Sequence, residues 1–308
     1  MNNLIVSTSP HMRAKTDTRS IMLDVILALV PTLAAAVFSF GPRTLLIVAV
    51  CVGTALLSEF LFQKGCKKPV MVGDLSAVVT GLLLAYSLPV SIPIWQAVFG
   101  SVVAIVVVKQ LFGGIGQNFA NPAVTARIVM LLAFSATMTT WTPPLTADAV
   151  STATPLGLIS AGNVSELPKL KDMLLGLHGG CIGETGTLPL LLGGLYLLAR
   201  RVISWHTPVV FLATVFGITA AFGAMPVYQI MSGSLILGAF FMATDYSTTP
   251  STALGKVIFG FGAGVLTALI RVFGSYPEGV SFAILLMNIL TPHISRLTRH
   301  KPLGGAKV

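Results

Sequence analysis

What this sequence has least of is charge. Of its 308 residues only 9% are Asp, Glu, Lys or Arg, while 54% are hydrophobic, and the mean hydropathy is +0.88. A water-facing domain carries roughly 25% charged residues, so lipid must be the solvent for most of this chain. Acidic residues are the scarcer sign, 10 against 19 Lys and Arg, for a formal net charge of +9. A basic excess in a soluble protein would point to nucleic acid. Here the basic residues cluster in short connections between apolar runs, which is a topology signal, and no nucleic-acid partner is expected. Cysteine is also sparse. Cys51, Cys66 and Cys181 stand far apart with no CxxC pair, which argues against an iron–sulfur or zinc site within the chain. The five His residues show no metal-ligand spacing and no HExxH, so no metal site is expected. Residues 1–20 are polar and basic without a small-residue cleavage site, so no cleavable signal is expected.

What the sequence has instead is long apolar runs. A helix crossing the hydrocarbon core needs about 20 apolar residues. That ruler marks segments near 21–39, 43–62, 74–90, 94–112, 122–137, 185–200, 207–224, 228–243, 256–273 and 278–294. The expected fold class is an all-α integral membrane protein of about ten transmembrane helices. The chain divides into a cytoplasmic N-terminal segment (1–20), a first transmembrane half (21–137), a connection (138–184), a second half (185–294) and a cytoplasmic tail (295–308). The connection is rich in Thr, Pro, Gly and Ser, and loops of that length are often functional. Of the basic residues, 15 fall on one side of the spans and only Arg43, Lys169, Lys171 and Arg271 on the other. The richer side should be cytoplasmic, which puts both termini inside and the 138–184 loop outside. Pro89 and Pro250 each end a short apolar run 161 residues apart, and Phe112-Gly113 repeats as Phe273-Gly274 at the same offset. Five spans per half would give the halves opposite orientations, so two inverted five-helix repeats are expected, an arrangement typical of transporter folds with sites near the repeat interface.

Three constellations could carry chemistry. Asp148, Ser151, Thr152, Ala153 and Thr154, followed by Pro155, form a hydroxyl-rich stretch that reads as an exposed narrow turn. Gly113-Gly114-Ile115-Gly116 leads into Gln117, Asn118 and Asn121-Pro122. It lacks GxGxxG spacing and no strand precedes it, which rejects a Rossmann site. It reads either as a capped helix–helix turn or as a broken-helix pocket. Thr244 and Asp245 end a span, and an acid near the membrane is a functional candidate by default, although a helix cap explains Asp245 nearly as well. Glu59, Glu184 and Glu278 are weaker candidates of the same kind. Gly193-Gly194, Gly260, Gly262 and Gly264 read as close helix packing.

Blocks spread over most of the chain resemble one family. Ser9-Pro10-His11, Asp74 through Ala85, Lys109 through Asn118, Asn121-Pro122-Ala123, Ile182 through Thr185, Phe240 through Asp245 and Tyr276 through Gly279 look like the NqrB/RnfD family of membrane flavin subunits. These subunits belong to the sodium-pumping NADH:quinone reductase and the Rnf complex. The short chain, without a long N-terminal extension, is more similar to the Rnf D-subunit branch. The family carries Ser-Gly-Ala-Thr or a close variant, with FMN esterified through its phosphate to the last Thr. Here that run is Ser151-Thr152-Ala153-Thr154, so the resemblance implies covalent FMN on Thr154. Thr152 stands where Gly is common, and Gly tolerates positive φ whereas Thr does not. Ser295 occupies a position that is often Asp, so no ion-handling role is carried over there.

The resemblance further implies a flavoprotein of the bacterial inner membrane that relays electrons between ferredoxin and NAD, coupled to sodium or proton translocation. The implied partners are a second FMN-bearing subunit, iron–sulfur subunits, other membrane subunits and a flavin transferase for maturation. Relatives also hold a noncovalent riboflavin. Gln117, Asn118, Asn121, Thr244 and Asp245 are the candidates here for that second flavin or for a cation. No catalytic residue and no complete active site is expected in this chain alone. The competing reading is an inverted-repeat solute channel or transporter without a redox role. The FMN ester leaves the flavin ring electronics intact, and the protein places and tunes the cofactor.

Overall fold

The structure, a computed structural model, describes residues 17–145, 152–184, 186–274 and 279–299. Every regular element among them is helical, and no strand occurs. In chain order the helices are α1 (Thr18–Phe40), α2 (Arg43–Gly65), α3 (Ser76–Tyr86) and α4 (Ile94–Val102, continuing as a π-helix over Val103–Gln110). Next come α5 (Pro122–Ala133), α6 (Ser135–Met138), α7 (Pro155–Ser160), α8 (Leu170–Leu175), α9 (Thr187–Ala199), α10 (His206–Ala221) and α11 (Pro226–Met231). The last are α12 (Leu235–Leu237, then a π-helix over Gly238–Met242), α13 (Ala253–Phe273) and α14 (Val280–Thr298). Four of these, α1, α2, α13 and α14, are long and apolar enough to cross a membrane. Five shorter apolar helices accompany them: α3, α4, α5, α9 and α10. Exposed Leu23, Leu27, Leu57, Leu61, Phe261 and Leu269 face outward from the long helices. These are the marks of a multi-pass membrane protein, in which backbone polar groups are satisfied within helices.

Local chemistry sets the boundaries. The Asp17 carboxylate accepts from the Ser20 N–H and starts α1, and Gly41 at φ 78° stops it. Asn121 caps α5 with Pro122 at its first position. The expected span at 228–243 is broken. α11 ends at Met231, and Gly233 (φ 71°) and Ser234 (φ 54°) turn the chain before α12 begins. The first half contains a matching feature: Leu75 at φ 64° precedes α3.

Glycines let the helices approach, as their spacing suggested. α9 rests on α1 with Gly193 against the Ala28 carbonyl, and α13 rests on α10 with a Cβ at Gly260 falling 2.8 Å from the Thr207 oxygen. α2 packs on α3 and α4, and α5 meets α3, α4 and α14.

Two expectations need correction. The 138–184 connection is not a bare loop, because α7 and α8 lie within it and Met173 is fully buried. Lys109 and Arg127, two of the 15 basic residues counted on the richer side, do not lie in exposed short connections but are buried in helices. Lys109 is paired with Glu59, and Arg127 donates to Ser234, Ser281 and Cys181.

Candidate functional site

Two regions hold the residues singled out in the sequence. The first is the hydroxyl stretch. Asp148 and Ser151 lie outside the described residues. Thr152 and Trp141 join by a backbone bond from the Thr152 N–H to the Trp141 oxygen (3.0 Å), and the Thr152 hydroxyl packs on Gly179 without a hydrogen-bond partner. Ala153 is exposed. Thr154 is not in an open turn: only 5% of its surface is exposed, and its Oγ1 accepts from the Gly157 N–H at 3.1 Å as the N-cap of α7. The burial follows from the next two residues. Pro155 and Leu156 are buried, and Leu156 lies over Gly233 beside Arg271. Beside α7 opens a cavity of about 430 Å³. Leu156, Ile159 and Ser160 form one wall, and Met225, Gln229 and Arg271 are among those opposite. The Arg271 guanidinium donates to the carbonyls of Gln229, Ser232 (2.9 Å) and Gly233 (3.1 Å), which places a positive charge at the base of this cavity.

The second region lies at the other end of α3. Asn118, Asn121, Thr244 and Asp245 line one cavity of about 90 Å³. Residues 120 or more apart in sequence therefore share a site. Asn121 serves twice: its Oδ1 caps α5, and its Nδ2 donates to the Met242 oxygen at 3.3 Å. The Asn118 Oδ1 is buried without a partner. Asp245 accepts from the Ser247 N–H and hydroxyl and from the Thr248 hydroxyl. Burial nevertheless pushes its carboxyl above the usual carboxylate range. Gln117 does not join them. It is exposed and stacks against Gly113 within the glycine turn, outside the cavity lining.

Over this whole length the chain matches the model of the NQR2, RnfD, RnfE family, across residues 5–304. The chain belongs to that family. It is 50% identical, over 99% of its length and 97% of the relative's, to the D-subunit of the Na(+)-translocating ferredoxin:NAD(+) oxidoreductase complex of Acetobacterium woodii. It is 42% identical to the D-subunit of the Proton-translocating ferredoxin:NAD(+) oxidoreductase complex of Clostridium ljungdahlii, over 98% of this chain and 97% of that one. The D-subunit of the Ion-translocating oxidoreductase complex of Escherichia coli (strain SE11) is 37% identical, over 98% and 99% respectively.

Sequence reasoning missed part of the second cavity of this NQR2, RnfD, RnfE family chain. Ser76, Thr80 and Lys109 line it together with Phe240 and Phe241. All five sit inside the blocks that carried the family resemblance, yet none has a local signal that it faces a cavity. Of the weaker acidic candidates, Glu59 is 1% exposed and bonded to Lys109 at 2.8 Å. The Glu184 carboxylate accepts from the Gly233 N–H (2.5 Å) and the Cys181 N–H (3.3 Å), holding the turn before α12. Glu278 lies outside the described residues.

Proposed function

We propose that this chain is the membrane flavoprotein D-subunit of an Rnf-type, ion-translocating ferredoxin:NAD oxidoreductase complex, with FMN joined through its phosphate to the Thr154 hydroxyl. The observation that carries this reading is full-length similarity to the D-subunits of such complexes, combined with a hydroxyl at position 154 that caps α7, the short helix forming one wall of a cavity of flavin size. Ligand pockets for molecules of that size run from about 300 to 1,000 Å³, and the cavity beside α7 is about 430 Å³. Eight single bonds separate the Thr oxygen from the flavin ring in an FMN ester, a reach of about 10 Å at covalent bond lengths. That matches α7, whose six residues span about 9 Å. Leu156, Ile159 and Met225 would hold the ring by apolar contact, Ser160 and Gln229 by hydrogen bonds, and the Arg271 charge would favour electron density arriving there. When bound, FMN supplies one- and two-electron transfer.

The Lys/Arg bias supports a topology of about ten crossings of the bacterial inner membrane, with α7 and its cavity on the outer side and both termini inside. The element order supports two inverted halves. α1, α2, α3, α4 and α5 correspond in turn to α9, α10, α12, α13 and α14, and positive-φ turns precede both α3 and α12. The electron relay then depends on partners outside this chain: a second FMN-bearing subunit, iron–sulfur subunits and other membrane subunits, with a flavin transferase for maturation. The inner cavity offers amides, hydroxyls and Asp245 to either a noncovalent riboflavin or a cation. Its volume of about 90 Å³ fits a cation with its waters more readily than a flavin ring.

The test of the tether is denaturing gel electrophoresis of chain made together with a flavin transferase. A flavin-fluorescent band that disappears in Thr154→Ala and persists in Thr152→Ala is expected. Fluorescence that survives Thr154→Ala contradicts the assignment.

A further inference from the structure

The buried charges of the inner half form a continuous chain. Asp74, half-buried at the start of α3, accepts from the Ser76 hydroxyl at 2.6 Å. The Ser76 oxygen accepts from the Lys109 ammonium at 2.6 Å, and Lys109 reaches Glu59 Oε1 at 2.8 Å. Glu59 is asymmetric. Its Oε1 takes Lys109, Gln110 Nε2 (2.6 Å) and Gln63 Nε2 (3.4 Å), while its buried Oε2 takes no partner. An ionised carboxylate with one crowded and one bare oxygen in a low-dielectric interior is costly. A proton on the bare oxygen removes that cost and leaves every bond to Oε1 in place, because a neutral carboxyl still accepts. Lys109 and Gln110 reach the same acceptor from the end of a π-helical stretch, and π-bulges concentrate at functional sites.

From this geometry we propose that Glu59 is a proton-loading site, fed from the Lys/Arg-rich face through Asp74, Ser76 and Lys109. The step moves one proton and no electrons. Lys109 passes a proton to the Glu59 carboxylate. The Ser76 hydroxyl, turned toward the neutral amine, refills Lys109, and a proton passed from water by way of the Asp74 carboxylate refills Ser76. Rotation of the Glu59 carboxyl then leaves its hydroxyl on the oxygen that now lacks a partner. Lys109 and Ser76 also line the inner cavity, whose 90 Å³ leaves room for several water molecules. Across that cavity the facing titratable groups are Asp245 and Tyr246, from the segment after α12. α1 and α9 contribute Ile21, Met22, Val25 and Leu197 and no titratable group among the described residues. The loaded state adds one positive charge in the bundle, so it is favoured when the complex takes up an electron. The relay does not depend on where FMN is attached.

The experiment uses the whole complex in membranes and follows electron delivery by redox-induced infrared difference spectroscopy together with a pH-indicating dye. The wild type is expected to show a protonated-carboxyl band on reduction that Glu59→Gln lacks. Ser76→Ala, which leaves the Lys109–Glu59 pair intact, is expected to slow proton uptake at least about tenfold, with Ser76→Thr restoring it. A band that persists in Glu59→Gln overturns the proposal. Should that variant fail to assemble, uptake in Ser76→Ala at the wild-type rate overturns it instead.

Discussion

Lys109 and Glu59 place two opposite charges where almost no water reaches, and their side chains are each 2% exposed. Removing one partner of such a pair strands the other, at a cost of about 3–5 kcal/mol. Lys109→Met is therefore expected to shorten the folded half-life in detergent sharply, whereas replacing exposed Lys64 or Lys68 by Met leaves it unchanged. Thermal aggregation assays on the three purified variants check this. Asp245 gives a second expectation. Its carboxyl is raised by burial, so on acidification it takes up a proton at a higher pH than an exposed carboxylate does. If Asp245 is the ligand of a cation in the proposed site, that cation is lost as the pH falls through the raised value and retained above it. Equilibrium binding of a radiolabelled cation across pH would show the loss, and Asp245→Asn would abolish both the binding and its pH dependence. At this scale the sequence was read unevenly. Asn118, Asn121, Thr244 and Asp245 were legible because each stands at the broken end of an apolar run, where polar residues are conspicuous. Lys109 stands at such an end too, but its partner is 50 residues away on another helix, and pairing across helices leaves no local pattern. The burial of Thr154 was hidden for a related reason. It depends on Leu156 meeting Gly233 and Arg271, residues more than 75 positions further on.

At the scale of elements, close approach decides stability. A Cβ at Gly81 would fall 2.9 Å from the Val52 Cα, so α3 can lie on α2 only with glycine there. Gly81→Val is expected to cost about 1–3 kcal/mol through overpacking. Gly217, with nothing within 4 Å, should accept Ala without loss. Thermal midpoints in one detergent would separate the two. Hydropathy located the longer helices well, since a lipid-facing helix must be apolar along its length. It missed the break between α11 and α12, because the residues around Gly233 are themselves apolar or small. The turn arises from positive φ at Gly233 and Ser234 and from the Glu184 carboxylate bonding to the Gly233 N–H. The two π-helical stretches, Val103–Gln110 and Gly238–Met242, were also invisible, since the same residues would pattern equally well as α-helix.

At the scale of the whole molecule, the chain reads as a bundle that carries a flavin-sized cavity at one end and a water-sized one at the other. Cys66 reports the orientation. It is the exposed thiol of the three, with Cys51 and Cys181 buried. In intact cells a membrane-permeant maleimide is expected to label Cys66 and an impermeant one to leave it untouched. An added Asn163→Cys, in the segment after α7, is expected to react with both. The opposite pattern would place α7 on the inner side and remove the outer station of the electron path. The proposed ester is a single covalent bond, and mass spectrometry of the Thr154 peptide from natively produced, active complex reads it out. That peptide is expected to carry the mass of FMN less water, with the fragment series placing it on Thr154. An unmodified Thr154 in a fully active complex would contradict it.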